Sequence, residues 1–482
     1  MSTASESILK QQEKEESLKD IYQERVAYFE MVVAAMEEKK EITTAAAIEA
    51  RVVEELNKTH AVVHTDQYHI LTEKIDPLHG GIDFTLETRQ SLVNMYENQM
   101  IDVGEKKLKS KAKIWLSHPN RRQYDGIMFD PSTVGHKQGQ YNLWRGFAIK
   151  SRQGNCGLFK EHLKDVICAG NQESYSYVWN WMSRLVQRPD QLLPALLIKG
   201  EQGVGKNTVA DTFGTIFGPH YSPLDNLDQL IGRFNFHLKN AVLVYGNEAL
   251  WGGDKTTLGK LKASITDPFC FIEGKGKDLI KVRNFKHYIF ASNEDWPIHL
   301  DRDDRRFFVL KVNNVHKDDR AYFAELYNDI NSGGAAALLY ELLATDLSSF
   351  DPWQFPRNNE GFEIKMRSAD STEKYIYQVL YDGGFDVGSE NQCGEWENSS
   401  DSYEISFRDI RRDYVSWCSY QNQNRAIQDD GPLGKAINRL IPKAIKSRSR
   451  KNGRKSHYRF PPLKEARQDF QKAYKVGVEI WD

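Results

Sequence analysis

The chain has 482 residues, more than one hydrophobic core usually spans, so its length predicts two to four domains. Its 65 Lys and Arg nearly balance its 67 Asp and Glu, although the charge is unevenly spread. The five scattered cysteines form no C-x-x-C pair, which argues against a disulfide framework or a zinc ribbon and indicates a reducing compartment. With no apolar signal segment and no run of about 18 apolar residues, we expect a cytoplasmic protein without a membrane span.

Residues 1–110 are predicted to form a helical N-terminal region. Up to about residue 59 this region lacks Gly and Pro, and its apolar residues recur at three- and four-residue steps, as on one face of a helix. Such a helix would pack on the body of the protein or act as an oligomerisation or partner-docking arm, and the sequence leaves both open. A further helix is predicted over residues 84–100.

Residues 111–190 form a lead-in region with a different pattern. The stretches WLSHPNRRQYDGIMF and QYNLWRGFAI alternate apolar and polar residues between Pro, Asn and Gly, which predicts short strands. Two helices are then predicted over residues 159–168 and 175–188. The aromatic residues of the second helix are interpreted as core positions, not as a base-stacking platform.

A P-loop is predicted within residues 196–210, which read LLIKGEQGVGKNTVA. An apolar strand precedes the glycines and a helix-compatible segment follows them, which is the context that this motif requires. The glycines permit a tight turn that aims backbone N–H groups at phosphate oxygens, and the lysine would reach the β- and γ-phosphates. An accidental match is the weaker alternative. The predicted ATP site consists of Gly200, Gly203, Val204, Gly205, Lys206, Asn207 and Thr208.

The predicted metal site departs from the usual pattern. The Ser or Thr that normally follows the lysine and holds Mg²⁺ is Asn207 here, with Thr208 one place later. An Asn carbonyl is a suitable oxygen ligand for Mg²⁺, so we interpret the loop as an active variant. Glu248 follows a second apolar strand and is expected to position Mg²⁺ or polarise the attacking water, because Asn247 replaces the usual first acid.

Two further segments suggest catalytic roles. An apolar strand over residues 284–293 ends in Asn293, which would orient the attacking water, or would merely cap a turn. Arg305 and Arg306 precede a last apolar strand. They would either form ion pairs with the aspartates beside them or act as an arginine finger that reaches a neighbouring subunit's ATP.

Two basic segments are candidate DNA contacts. A β-hairpin is predicted over residues 271–282, with Lys275 and Lys277 at its tip. After a linker at 350–370, residues 371–482 are predicted to form a winged-helix-like domain with a helix over 434–446, a basic turn and a strand. Its candidate phosphate contacts are Lys446, Arg448, Arg450, Lys451 and Arg454. Both segments favour nucleic acid, while a solvated basic surface, or for the tail an acidic partner, is the alternative.

In order and spacing these pieces resemble the superfamily-3 helicases, in particular the helicase part of phage, plasmid and poxvirus-type primase–helicases. The resemblance covers about residues 110–345 and, more loosely, the tail. It implies an α/β fold with a P-loop AAA+-like ATPase domain over 191–349 and a parallel sheet. It also implies a ring, usually a hexamer, that hydrolyses ATP at subunit interfaces and draws single-stranded DNA through its centre.

The resemblance also assigns roles to individual residues. The loop with Lys206 matches the Walker A motif, Glu248 the Walker B acid and Asn293 the sensor. Arg306 matches the arginine finger, with Arg305 as its substitute. The hairpin lysines, Lys275 and Lys277, match the DNA-binding hairpin.

The sequence therefore predicts an ATP- and Mg²⁺-dependent replicative DNA helicase of a phage or mobile element, acting on single-stranded or forked DNA. Residues 1–110 do not resemble a primase–polymerase module, so a primase or polymerase partner would be a separate chain. An origin-binding initiator ATPase is the alternative. A small-molecule phosphotransferase is a third hypothesis, under which the basic hairpin and the basic tail would have no function.

Overall fold

A computed structural model of the chain describes residues 45–481, except 66, 76, 78–81, 104–106, 134, 138, 249–254, 274–279, 387–395, 397–401, 423, 449–455 and 477–479. The predicted N-terminal helix lies almost wholly outside the described residues. Within the described part of the chain, no helix is long and apolar enough to cross a membrane.

The N-terminal unit is built on a four-stranded sheet of order β3-β2-β1-β6, in which β1 and β6 run parallel and the other pairs run antiparallel. Two further pairs, β4–β5 and β7–β8, complete the unit. Its elements are α1 (Ala45–Asn57), β1 (His60–His64), β2 (Tyr68–Ile75), β3 (Ile82–Glu87), α2 (Arg89–Met95), β4 (Met100–Asp102), β5 (Leu108–Ser110), α3 (Lys111–Ser117), β6 (Gln123–Tyr124), β7 (Gly126–Met128) and β8 (Gln140–Asn142).

Three predictions for this unit are wrong. Residues 60–110, expected to be part of a helical N-terminal region, form strands β1–β5 and the short helix α2 where they are described. The helix expected over 84–100 is confined to α2, because the residues before it pair with β2 as strand β3 and Thr88 caps the helix start. Strand pairing overrides local helical periodicity here. The strand expected near residue 114 is instead helix α3, capped by Ser110, which buries Ile114, Trp115 and Leu116.

A five-stranded sheet of order β10-β11-β14-β9-β15 forms the centre of the molecule, and all its neighbouring strands are parallel. Helices cover both faces, so the strands are mostly apolar and are buried along most of their length. The elements from the lead-in to the end of this unit are α4 (Gly157–Glu161), a π-helix (His162–Ile167), α5 (Gln172–Gln187), β9 (Ala195–Lys199), α6 (Lys206–Phe217), β10 (Tyr221–Leu224), α7 (Asp228–Ile231), β11 (Leu243–Asn247), α8 (Lys255–Thr266), β12 (Phe269–Ile272), β13 (Ile280–Arg283), β14 (His287–Ser292), β15 (Phe307–Lys311), α9 (Arg320–Asp329), a π-helix (Ile330–Gly334) and α10 (Ala335–Ala344).

The alternation of side chains along β9 shows how the sheet is packed. Leu196 and Ile198 belong to a core shared with α5, α6 and α10, whereas Ala195 and Leu197 belong to a core shared with α8. The four apolar segments predicted as strands all lie in this sheet. The predicted α/β class with a parallel sheet is thereby confirmed. Strands β12 and β13 pair antiparallel, as the predicted hairpin requires.

The C-terminal unit has its own hydrophobic core and a three-stranded antiparallel sheet of order β16-β18-β17. Its elements are α11 (Asn359–Ser368), α12 (Ser371–Asp382), β16 (Tyr403–Ser406), α13 (Phe407–Tyr420), α14 (Asp430–Leu440), β17 (Ile445–Arg448), β18 (Ser456–Phe460) and α15 (Leu463–Tyr474). The segment predicted as a linker contains α11, since Asn358 caps a helix there rather than ending a turn. The helix predicted over 434–446 ends at Leu440, before Pro442, and Lys446 lies on strand β17.

Candidate nucleotide site

The predicted P-loop connects the end of β9 to the start of α6. Gly203 and Gly205 have φ angles of 78° and 88°, in the left-handed region that favours glycine. A Cβ atom at Gly205 would lie 2.6 Å from Cε1 of His162 and 2.7 Å from Cε1 of Phe323. The loop therefore needs glycine at this position both for its backbone angles and for the close approach of two aromatic rings.

We expect Gly205→Ala to lower the free energy of unfolding by about 1–3 kcal/mol, through the left-handed backbone and the displaced rings. Nucleotide affinity should fall as well, because the loop amides would move. Thermal unfolding and titration with a fluorescent ATP analogue measure the two effects. Gly259→Ala is the control, since Gly259 lies within α8 with no atom within 4 Å of the added Cβ. It should be neutral or stabilising by up to about 1 kcal/mol, and equal losses in both variants would contradict this account.

The Lys206 side chain is buried, with only 7% of the residue exposed. Its ammonium group donates to the carbonyl oxygens of Gly200 at 2.5 Å and Glu201 at 2.6 Å. Burial lowers the pKa of Lys206, while the negative charges of Glu248 and Glu201 act in the opposite direction. The ammonium thus lies inside the loop, beside a pocket of about 410 Å³ lined by residues of the loop.

Glu248 and Asn293 lie close to each other at the carboxyl ends of strands β11 and β14, as the P-loop does at the end of β9. The Glu248 N–H donates to Ala291 O at 2.9 Å, which extends the β11–β14 pairing by one residue, and Glu248 itself has a φ of 54°. Its Oε1 accepts from Asn293 Nδ2 at 3.2 Å and from Gln202 Nε2 at 3.4 Å. The carboxyl ends of three parallel strands therefore bring the P-loop, Glu248 and Asn293 to one site, where ligands usually bind in such sheets.

The predicted metal ligands differ in the hydrogen bonds that their oxygen atoms already make within the protein. The Asn207 carbonyl oxygen accepts from the Tyr245 hydroxyl at 2.7 Å, and the Thr208 hydroxyl contacts that of Tyr327 at 2.9 Å. Glu248 is exposed, and no described residue donates a hydrogen bond to its second oxygen. The described residues contain no group of three or more His, Cys, Asp or Glu suited to a metal. This set fits Mg²⁺ that is held by one carboxylate together with phosphate oxygens and water.

The P-loop is held by hydrogen bonds from residues that the sequence analysis did not identify. Backbone N–H of Asp318 donates to Gly203 O at 3.1 Å, and Asn314 Nδ2 donates to Glu201 Oε1 at 2.7 Å. His162, in the first π-helix, contacts Gly205 O at 3.3 Å, and burial lowers its pKa to about 4. These contacts hold the loop in one conformation, and nothing in the local sequence pattern signals them.

Two aromatic residues of α9, Phe323 and Tyr327, line the pocket beside the loop. They lie four residues apart and so share one face of the helix, but this short spacing in the sequence is equally typical of core positions. Tyr327 is 44% exposed, so its ring is available to a ligand. A planar ring of a ligand can pack against such a wall.

The segment after Asn293 is attached to the C-terminal unit. Asp295 forms an ion pair with Lys199 at 3.1 Å, and Trp296 Nε1 donates to Ser368 Oγ at 3.0 Å. Further along, Arg302 approaches Glu373 at 3.8 Å. The segment that follows the predicted sensor is therefore held both by the P-loop strand and by α11 and α12.

The two residues predicted as arginine fingers lie at the amino ends of the strands, on the side of the sheet opposite to the P-loop. Arg306 O accepts from the N–H of Ala195 at 2.7 Å, so Arg306 is level with the start of β9, roughly 15 Å of strand from the P-loop. The Arg306 guanidinium is partly buried and pairs with Asp304 at 3.5 Å. Arg305 is exposed and has no ion-pair partner among the described residues. Within one subunit neither arginine reaches the nucleotide pocket.

Most of the predicted DNA contacts lie outside the described residues, namely Lys275, Lys277, Arg450, Lys451 and Arg454. Arg448 is the last residue of β17. Lys446 lies on the same strand, with its ammonium 4.7 Å from the ring centre of Phe407. This strand pairs with β18, so the basic segment begins at an edge of the C-terminal sheet.

Comparisons with known proteins place the chain near phage replication enzymes. A family described as a family of unknown function (DUF5906) matches residues 198–306. A DNA primase-polymerase of Nitratiruptor phage NrS-1 is 32% identical over 165 residues, which are 33% of this chain and 23% of that relative. Two apo structures of the NrS-1 C-terminal region, each with a TM-score of 0.60 and 18% identity, cover 86% and 85% of this chain and 99% of their own.

By sequence the chain is thus similar to a phage DNA primase-polymerase, and by fold to the C-terminal region of NrS-1. At 18% identity the structural likeness shows a common fold and no more. The sequence match spans less than a quarter of the curated relative.

Proposed function

We propose that this chain is the ATP-hydrolysing motor of a phage replication system and that it acts as a superfamily-3-like DNA helicase with an AAA+-like core. The observation that carries the proposal is the meeting of Lys206, Glu248 and Asn293 at one edge of a parallel sheet. The similarity to a phage DNA primase-polymerase supports a role in replication. The helicase activity rests on the resemblance of the motifs.

In the proposed reaction the chain's own residues position the triphosphate and the attacking water. The loop amides and Lys206 hold the phosphates and offset their charge, and Mg²⁺ supplies further charge neutralisation when it is bound. Glu248 accepts hydrogen bonds from Asn293 and Gln202, so its carboxylate is fixed in orientation. A fixed carboxylate beside a fixed amide is suited to orienting a water molecule towards a phosphorus atom.

The site would be completed by an arginine from a neighbouring subunit. Arg305 suits this role better than Arg306, because Arg305 is exposed and Arg306 is engaged by Asp304. Its position at the far edge of the sheet prevents it from acting within its own subunit. A ring, usually a hexamer in the resembled group, would bring that edge of one subunit to the pocket of the next.

An unwinding assay tests the proposal. Forked DNA with opposite single-stranded tails should be separated in the presence of ATP and Mg²⁺, and single-stranded DNA should stimulate ATP hydrolysis. Protection of one duplex sequence without strand separation would instead support the origin-binding initiator. Hydrolysis that DNA does not affect would contradict both.

A further inference from the structure

A cluster of arginines and aromatic rings lies on the N-terminal unit, and none of its residues lines the nucleotide pocket. Arg122 and Arg145 approach the same ring nitrogen, Nε2 of His136, at 3.2 Å and 3.1 Å. They belong to the lead-in stretches WLSHPNRRQYDGIMF and QYNLWRGFAI, neither of which contributes a residue to the nucleotide pocket. The cluster is therefore a site where these two stretches come together in the fold.

The cluster has more hydrogen-bond donors around the His136 ring than the ring can accept from. The N–H of Asn142 donates to Nδ1 of His136 at 3.2 Å, so the single lone pair of a neutral imidazole is already in use. Partial burial and the charges of Arg145 and Arg122 lower the pKa of His136 to about 4, so the ring is neutral at pH 7. Three donors, from Asn142, Arg122 and Arg145, therefore face a ring that has one lone pair, so at least two of them have no acceptor on it. At least one of the two guanidinium groups therefore has no acceptor on this ring.

The charges of the cluster do not balance. Arg122 forms an ion pair with Glu73 at 2.6 Å, and the same carboxylate accepts from the Tyr141 hydroxyl at 2.7 Å. Arg145 has no carboxylate partner among the described residues. One positive charge is therefore left over, on the partly exposed side chain of Arg145.

Aromatic rings hold both guanidinium groups in place. Arg122 lies over the rings of Tyr124 and Tyr141, at 5.5 Å from each centre, and Arg145 lies 5.7 Å from the Tyr141 centre. Because both arginines contact one nitrogen, they lie within about 6 Å of each other. Two guanidinium groups so placed can donate to different oxygens of one phosphate, which suits their geometry and charge.

We infer that Arg122 and Arg145 form a phosphate-binding site that contacts the backbone of the nucleic-acid strand on which the motor acts. The identity of the strand rests on the proposed function, whereas the phosphate site does not. Arg145 is partly exposed, which suits one phosphodiester of a polymer that crosses the surface. A free nucleotide would use enclosing walls for its base, such as those beside the P-loop.

The test is the binding of labelled oligo(dT) to the full chain across a series of KCl concentrations. In Arg145→Gln the slope of log K against log[KCl] should become shallower by about 0.7, the value of one phosphate contact on a single strand. Affinity near 0.1 M KCl should fall about 3- to 10-fold. Arg145→Lys keeps the charge and should keep the slope, with a smaller loss of affinity because the fork is lost.

Arg188→Gln is the matched control, since Arg188 is exposed and pairs with Asp190, away from the cluster. An unchanged slope and affinity in Arg145→Gln would overturn the inference, as would a lysine variant whose slope is as shallow as that of the glutamine variant. Competition by inorganic phosphate that depends on Arg145 while strand binding does not would also overturn it. Basal ATP hydrolysis without DNA is measured in parallel, because its absence in the wild type sinks the proposed motor and leaves the phosphate site to stand on the binding data.

Discussion

Replacement of Lys206 by alanine is expected to reduce ATP turnover by about 100-fold or more while the fold is retained. Among the described residues, the hydrogen bonds of the ammonium group go to the carbonyl oxygens of Gly200 and Glu201, which belong to its own loop. Its loss removes no contact between distant elements, and the loop remains supported by His162 and by residues 314–318. The charge that would face the phosphates disappears, so binding and turnover should both fall. Steady-state hydrolysis with and without single-stranded DNA measures the effect, and circular dichroism checks the fold.

Lys311→Ala provides a matched control. Lys311 also ends a strand of the central sheet, and it pairs in register with Lys199 at the end of β9. It is exposed and does not line the nucleotide pocket. Its removal should leave turnover within about twofold of the wild type, as for an ordinary surface substitution. Appreciable hydrolysis by Lys206→Ala, at the level of this control, would refute the assignment of the ATP site.

The meeting of Lys206, Glu248 and Asn293 follows from sequence reasoning, and the reason is topological. Each residue follows an apolar strand, and strands separated by helical segments form parallel sheets whose carboxyl ends lie on one edge. The sequence therefore predicts which residues share the edge without any knowledge of strand order. The catalytic roles of these residues remain predictions.

The support of the loop could not be predicted, because it depends on contacts between distant parts of the chain. His162 approaches Gly205 from 43 residues away, and Lys317 binds Glu201 from 116 residues away. Local patterns carry no information on such pairs. The Tyr245 hydroxyl that occupies the Asn207 carbonyl is a similar case. The Asn207 carbonyl oxygen keeps a second lone pair, so its role as a Mg²⁺ ligand stays a prediction.

Errors in the secondary structure have a related cause. Segment 84–100 has apolar residues at positions that suit a helix or a strand, and the available edge of β2 decides in favour of a strand for its first residues. In the segment predicted as a linker, Pro352 lies in a turn and residues 355–358 have no regular secondary structure. The residues immediately after them find an apolar surface to cover, and Phe362 and Ile364 are buried as helix α11. Tertiary packing thus overrides local signals in both places.

Glu248→Gln is expected to lower turnover by about 100-fold or more while nucleotide affinity stays within about threefold. The amide has nearly the same size and retains an oxygen that can accept from Asn293 and Gln202, so the local structure should persist. It has no negative charge, however, and cannot take a proton from water or hold a divalent cation as strongly. Turnover in pre-steady-state and steady-state assays, together with binding of a fluorescent ATP analogue, separates the two effects.

Glu294→Gln distinguishes the specific role of Glu248 from a general loss of negative charge near the pocket. Glu294 is adjacent to Asn293 and exposed, and its carboxylate does not line the pocket. If charge in the neighbourhood were sufficient, both variants would lose activity to a similar degree. If the fixed carboxylate at the end of β11 is required, only Glu248→Gln loses turnover. Equal activity of the Glu248 variant and the wild type would show that the carboxylate prepares no water, and the mechanism would then need another residue in its place.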